Sequence, residues 1–221
     1  MLRTLPSFAL RQLQRRTVSS LRVVESTSSR SLALPLCFVS LKGFEPRDSP
    51  GWKDWIERFS AKGYTSLILD VDPEASIQSS TTSKELLDSL EKELLSLLRD
   101  PSTSSPFPPL LFASSISTLL AETYVSSHPL SGLVLHSPLP APLAHSKFPQ
   151  AFKTKLDEFD YEPFFPVAVV EGKGKGETQC RLVKEFVEEE DEEDGLVRRL
   201  VGDRDEAGWN KVMEWMDENG L

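Results

Sequence analysis

Apolar positions fall along this chain in two kinds of block, and their alternation sets the expected fold. Five short, nearly continuous apolar runs have the length and content of strands buried on both faces: "LALPLCFVSL" (32–41), "YTSLILDVD" (64–72), "PPLLFA" (108–113), "GLVLHS" (132–137) and "FFPVAVVEG" (164–172). The segments between them follow helical periodicity. "SPGWKDWIERFSAKG" (49–63) puts Trp52, Trp55, Ile56 and Phe59 on one face before Gly63 ends it. "SKELLDSLEKELLSLLRD" (83–100), after a Ser/Thr-rich loop, repeats Leu at helical spacing and leaves Glu85 and Lys92 outside. Residues 117–128, 178–194 and 206–220 read as further helices, and "LVRRLVGD" (196–203) as a short last strand. Strands and helices in strict alternation predict an α/β domain: a mostly parallel sheet of about six strands with helices on both faces. In such sheets ligands and chemistry collect at the carboxyl ends of the strands.

Charge divides the chain before chemistry does. The formal net charge is −9, yet residues 1–30 hold six Arg and a single Glu, leaving −14 on the remaining 191 residues. Arg3, Arg11, Arg15, Arg16 and Arg22 stand among Leu, Phe, Val, Ser and Thr with no acid before Glu25, the composition of a mitochondrial presequence. The expectation is a disordered targeting segment over 1–30, a domain over 31–221, and a mitochondrial, matrix location. An acidic body repels nucleic acid, and no apolar run is long enough to be a transmembrane helix. Cys37 and Cys180 belong to no CxxC pair and read as buried thiols, so neither a metal site nor a cofactor is expected.

The sharpest local signal is the stretch Ala113-Ser114-Ser115-Ile116-Ser117, where an apolar strand turns directly into a helix. A nucleophile elbow needs small residues two before and two after the nucleophile, because the tight turn presses them against neighbouring backbone. Ala113 and Ser117 meet that need. The stretch resembles the nucleophile elbow of the α/β-hydrolase superfamily, and the resemblance runs through roughly 32–220. "LCFVSLKGFEPRDSPGWKDWIERFSAKGYTSLILDVD" is similar to that superfamily's third strand, oxyanion loop, first helix and fourth strand; "SGLVLHSPLP" and "PFFPVAVVEGKGKGET" are similar to its sixth and seventh strands. The resemblance implies an α/β-hydrolase-like fold with a minimal lid or none. It implies Ser115 at the nucleophile position and the backbone N–H groups of Phe44 and Ile116 as the oxyanion hole, with Lys42 where His is common.

The other half of the machinery departs from the pattern. The superfamily's acid follows strand six or seven and its His follows the last strand. Here His128, His136 and His145 all precede the seventh-strand match, the loop "VGDRDEAGWNK" has no His, and Lys175 stands at the usual acid position. Without a base, a serine hydroxyl is a poor nucleophile at neutral pH. His136, at a strand's carboxyl end, and His145, in the short connection after it, are the displaced candidates. "GKGKGE" (172–177) lacks the Walker spacing, and the acids from Glu188 to Asp194 read as a solvated run.

Two functions follow. One is a non-catalytic binding or assembly protein that engages a protein partner or a small acyl or ester ligand through a rim of Phe44, Ser115, His136 and residues 138–149. The alternative is an active serine hydrolase of the esterase or thioesterase kind, with Ser115 activated by His136 or His145.

Overall fold

The structure, a computed structural model, describes residues 19–44, 51–101, 105, 107–172, 180–187 and 195–221. Seven strands form one sheet in the order β1-β3-β2-β4-β5-β6-β7. These are β1 Ser20–Val24, β2 Leu36–Leu41, β3 Ser66–Val71, β4 Leu110–Ser114, β5 Gly132–His136, β6 Val167–Glu171 and β7 Val197–Val201. All neighbouring pairs are parallel except β1 on β3. The helices are α1 Lys53–Lys62, α2 Glu74–Ser79, α3 Ser83–Leu98, α4 Ser117–Val125, α5 Ala144–Lys147, α6 Arg181–Phe186 and α7 Glu206–Glu218. The expected α/β class holds, with the strand run 108–113 central and flanked by the runs from 32–41 and 132–137.

Each central strand buries both faces, and its side chains alternate between two layers with the period of two that a strand imposes. Leu36, Phe38, Leu110, Phe112, Val134, Ala168 and Val170 meet the aromatic faces of α1 and α7, including Trp55, Phe59 and Trp215. Phe38 and Phe112 stack at 4.6 Å between ring centroids. Cys37, Val39, Leu111, Ala113, Leu133, Leu135 and Val169 face the other way, onto α3 and α4. The Leu repeat of α3 supplies Leu86, Leu87, Leu90 and Leu94 to that layer. Its start is fixed by a capping box in which Thr82 accepts from the Glu85 N–H while the Glu85 carboxylate accepts from the Thr82 N–H.

The seventh strand corrects the expected boundary at residue 30. β1 lies inside the basic segment assigned to a presequence, pairing Ser20 through Val24 with Asp70 through Ser66. Leu21 and Val23 pack on one core layer and Val24 on the other, while Arg22 is exposed. The physical reason is the alternation in "SLRVV", which covers what would otherwise be the open edge of β3. Residues 1–18, which hold Arg3, Arg11, Arg15 and Arg16, lie outside the described residues, as do 173–179 with Lys175 and the acidic residues 188–194. Between β5 and β6 the chain forms a 3-10 turn (Ala141–Leu143), the single-turn α5 and extended connections, with no separate lid domain. Among the described residues no helix is long and apolar enough to cross a membrane.

Candidate functional site

β4 ends at Ser114, α4 begins at Ser117, and the turn between them carries the strain expected of an elbow. Ser115 has φ 50°, in the left-handed region that non-glycine residues avoid, and its side chain is exposed at the carboxyl edge of the sheet. Neighbouring groups hold it there. The Ser115 N–H donates to the His136 carbonyl at 3.0 Å, extending the β4–β5 ladder past its end, and the Ser115 carbonyl accepts from Thr118 Oγ1 at 2.6 Å. The small flanking residues have the steric role that motivated the reading. Ala113 and Ser117 are both fully buried, and Ser117 Oγ accepts the Leu41 N–H at 3.1 Å, tying the start of α4 to the end of β2.

The two expected oxyanion donors have different fates. Ile116 is the residue that caps the start of α4, at the helix end where the first N–H groups have no intrahelical acceptor. The Phe44 N–H instead donates to the Leu41 carbonyl at 3.3 Å. Gly43, at φ 82°, supplies the left-handed third position of a type II turn over Leu41–Phe44, and that turn consumes the amide assigned to the hole. The Phe44 ring does line the rim, meeting Phe148 edge-on at 5.6 Å. It also helps wall a cavity of about 380 Å³ with Ile77 and Asp72.

The two displaced histidines have different surroundings. His145 Nδ1 lies 2.6 Å from the Phe152 carbonyl, a local bond that anchors α5 to the turn after it. His136 is on the neighbouring strand end, opposite Ser114 in register, but its ring follows the strand alternation into the aromatic layer and meets Trp52 edge-on at 6.1 Å. It is 9% exposed. His128 stacks on Tyr124 and pairs with Glu91 at 3.3 Å, at the far end of α4 from the elbow.

The loop after β7, where the superfamily pattern places its histidine, presents Arg204. Its Nη1 donates to Ser114 Oγ at 3.3 Å, and its guanidinium lies over the Trp52 ring at 5.2 Å from the centroid. The loop is pinned from both sides. Asp205 caps α7 by accepting the Gly208 N–H, and the Asp205 carbonyl accepts from Trp55 Nε1. A Cβ on Gly208 would come within 1.9 Å of the Asp203 carbonyl oxygen, so only glycine permits the close approach that sets the loop's path. The sequence signal for Arg204 was a cation inside the loop searched for histidine.

A buried charge cluster lies behind the elbow helix. Glu122 of α4 is 6% exposed, and burial, reinforced by repulsion from Glu158, pushes its carboxyl up to about 8 against the pull of Arg181. Burial likewise raises the thiol of Cys180, to about 12, and the Tyr161 hydroxyl. Among the described residues no group of three or more His, Cys, Asp or Glu is disposed to hold a metal ion.

Comparison with solved structures identifies the fold as that of the α/β hydrolases. An α/β-hydrolase enzyme from a metagenome of Mar Chica lagoon sediments superposes with a TM-score of 0.58 at 13% identity, over 91% of this chain and 96% of that one. A Pyrococcus furiosus esterase gives 0.58 at 15% identity, over 100% and 97%. An α/β serine hydrolase homologue from Coxiella burnetii gives 0.53 at 10% identity, over 92% of each chain. No protein-family model and no curated protein matches the sequence.

Proposed function

We propose that this chain is a non-catalytic binding protein built on the α/β-hydrolase fold, acting in mitochondria through the cleft at the elbow. The observation that carries the reading is Arg204. A guanidinium stays protonated at any physiological pH and has no acceptor, so it cannot take the proton of a serine hydroxyl. Supporting it are the local anchoring of His145 on Phe152 and the engagement of the Phe44 amide within its own turn. Loss of a general base removes about 10² to 10⁴ in rate. The targeting part of the proposal is confined to the residues before Ser19, because β1 belongs to the sheet.

The second reading, an active serine hydrolase, is favoured by the strained, exposed geometry of Ser115 at the start of α4. Turnover of p-nitrophenyl butyrate and of a short acyl thioester separates the two. The binding reading expects rates indistinguishable between the wild-type chain and Ser115→Ala; a wild-type rate at least a hundredfold above that variant establishes the hydrolase. A reporter fused behind residues 1–35 tests the location, and a cytosolic reporter removes it from the proposal.

A further inference from the structure

The cavity of about 380 Å³ walled by Phe44 opens at the carboxyl ends of β2 and β3. The Lys42 N–H donates to the Val71 carbonyl at 2.9 Å, which holds the two strand ends together just past β2. Beyond that bond the Leu41–Phe44 turn follows one strand and Pro73 leads from the other into α2, and both segments line the cavity. Its apolar walls are Phe44, Pro73 and Ile77. Phe44 is steadied by its edge-on contact with Phe148, and Ile77 packs against the core. Asp72 lines the same cavity and is 7% exposed. Its backbone N–H donates to Ser19 Oγ at 2.6 Å, and its Oδ1 accepts the Glu74 N–H at 3.0 Å. Its Oδ2 is buried and accepts no hydrogen bond from the described residues. A carboxylate oxygen removed from water without a donor is costly, and a donor placed in the cavity offsets that cost. Glu74 and Lys42 also line the cavity, so its carboxylates outnumber its cation.

We propose that this cavity binds a small primary amine with an apolar body, its ammonium donating to Asp72 Oδ2 and its body packing on Phe44 and Ile77. An ammonium carries three donors and no acceptor, so it supplies what Oδ2 lacks and makes the bond charge-assisted. An alcohol supplies the donor without the charge, and a carboxylate meets two acids. Apolar walls around one fixed polar group are the usual makeup of a small-molecule site. The volume stands at the low end of the roughly 300 to 1,000 Å³ common for such sites, which limits the body to a single ring or a short chain. Neither Ser115, His136 nor Arg204 lines the cavity, so the proposal goes beyond the elbow reading and does not depend on the reactivity of Ser115.

The test is calorimetric titration of the full chain with 2-phenylethylamine, with 2-phenylethanol, 3-phenylpropionate and ethylamine as parallel arms. Saturable binding of 2-phenylethylamine is expected. Asp72→Asn keeps an Oδ1 acceptor for the Glu74 N–H and puts a donor in place of Oδ2, so it should weaken that binding at least tenfold. Phe44→Ala, which trims the wall, should weaken it severalfold. In wild type, 2-phenylethanol and ethylamine should bind at least tenfold more weakly than 2-phenylethylamine, and 3-phenylpropionate should not bind. Circular dichroism and thermal midpoints establish that each variant is folded; if Asp72→Asn does not fold, the wild-type comparison of amine, alcohol and carboxylate decides together with Phe44→Ala. The proposal is overturned if 2-phenylethylamine does not bind at millimolar concentration, if folded Asp72→Asn binds it like wild type, or if the alcohol, the carboxylate or ethylamine binds equally well. Those results leave the binding-protein reading of the elbow standing, which falls instead if Ser115 turns over esters.

Discussion

Replacing Glu122 by Gln tests the buried cluster behind the elbow, and its effect has a definite sign. In the folded chain the carboxyl holds its proton up to about 8, against an ordinary value of 4.5, chiefly because burial disfavours the anion. Below 4.5 both folded and unfolded chains are protonated, and the stability from this group is fully present. As the pH rises from there, the unfolded chain releases the proton while the folded chain keeps it. Stability then falls by about 1.4 kcal/mol per pH unit until the folded carboxyl also ionises near 8. The total loss is roughly 3 to 5 kcal/mol once some relaxation around the anion is allowed. Gln is neutral throughout and removes this dependence, so Glu122→Gln gains stability relative to wild type as pH rises. Urea unfolding of both chains at intervals from pH 5 to pH 9 measures it, and comparing the two cancels the titration of all other groups to first order. A stability difference that does not change with pH, or that grows in favour of wild type at high pH, refutes the reasoning.

Two further substitutions probe the scaffold that places the site. Leu111→Pro removes a ladder donor from fully buried β4 and costs about 3 kcal/mol or more, so the protein is expected in the insoluble fraction with no cooperative thermal transition. Gly208→Ala forces a methyl against the Asp203 carbonyl and should cost about 1 to 3 kcal/mol in urea unfolding. It should also change tryptophan fluorescence, as Arg204 is displaced from Trp52.

The sheet was legible because its strands are buried on both faces and so stand out as unbroken apolar runs, and because α1 and α3 keep a clear apolar stripe. β1 was hidden by composition: its "SLRVV" sits in an Arg-rich segment whose charge pattern dominates, and an edge strand needs only the three apolar residues that touch the core. α2 was hidden in a Ser/Thr-rich loop, since six residues with a single buried Ser leave no periodicity to read. The elbow could be found from Ala113 and Ser117 because its constraint is steric and local. The failure of Phe44 as an amide donor could not, because the Leu41–Phe44 turn is a backbone choice that Gly43 permits without dictating. Glu122 went unnoticed because a lone Glu in "STLLAETYV" looks like a solvent-facing position, whereas α4 is buried almost all round.

The central claim is that Ser115 occupies a nucleophile's position without a nucleophile's reactivity. Incubation of the folded chain with a fluorophosphonate probe, followed by intact-mass measurement, tests it most directly, with Ser115→Ala and His136→Ala run alongside. The account predicts no stoichiometric adduct on wild type. A one-to-one adduct on Ser115, absent from Ser115→Ala and lost in His136→Ala, would contradict it and establish a rewired serine hydrolase.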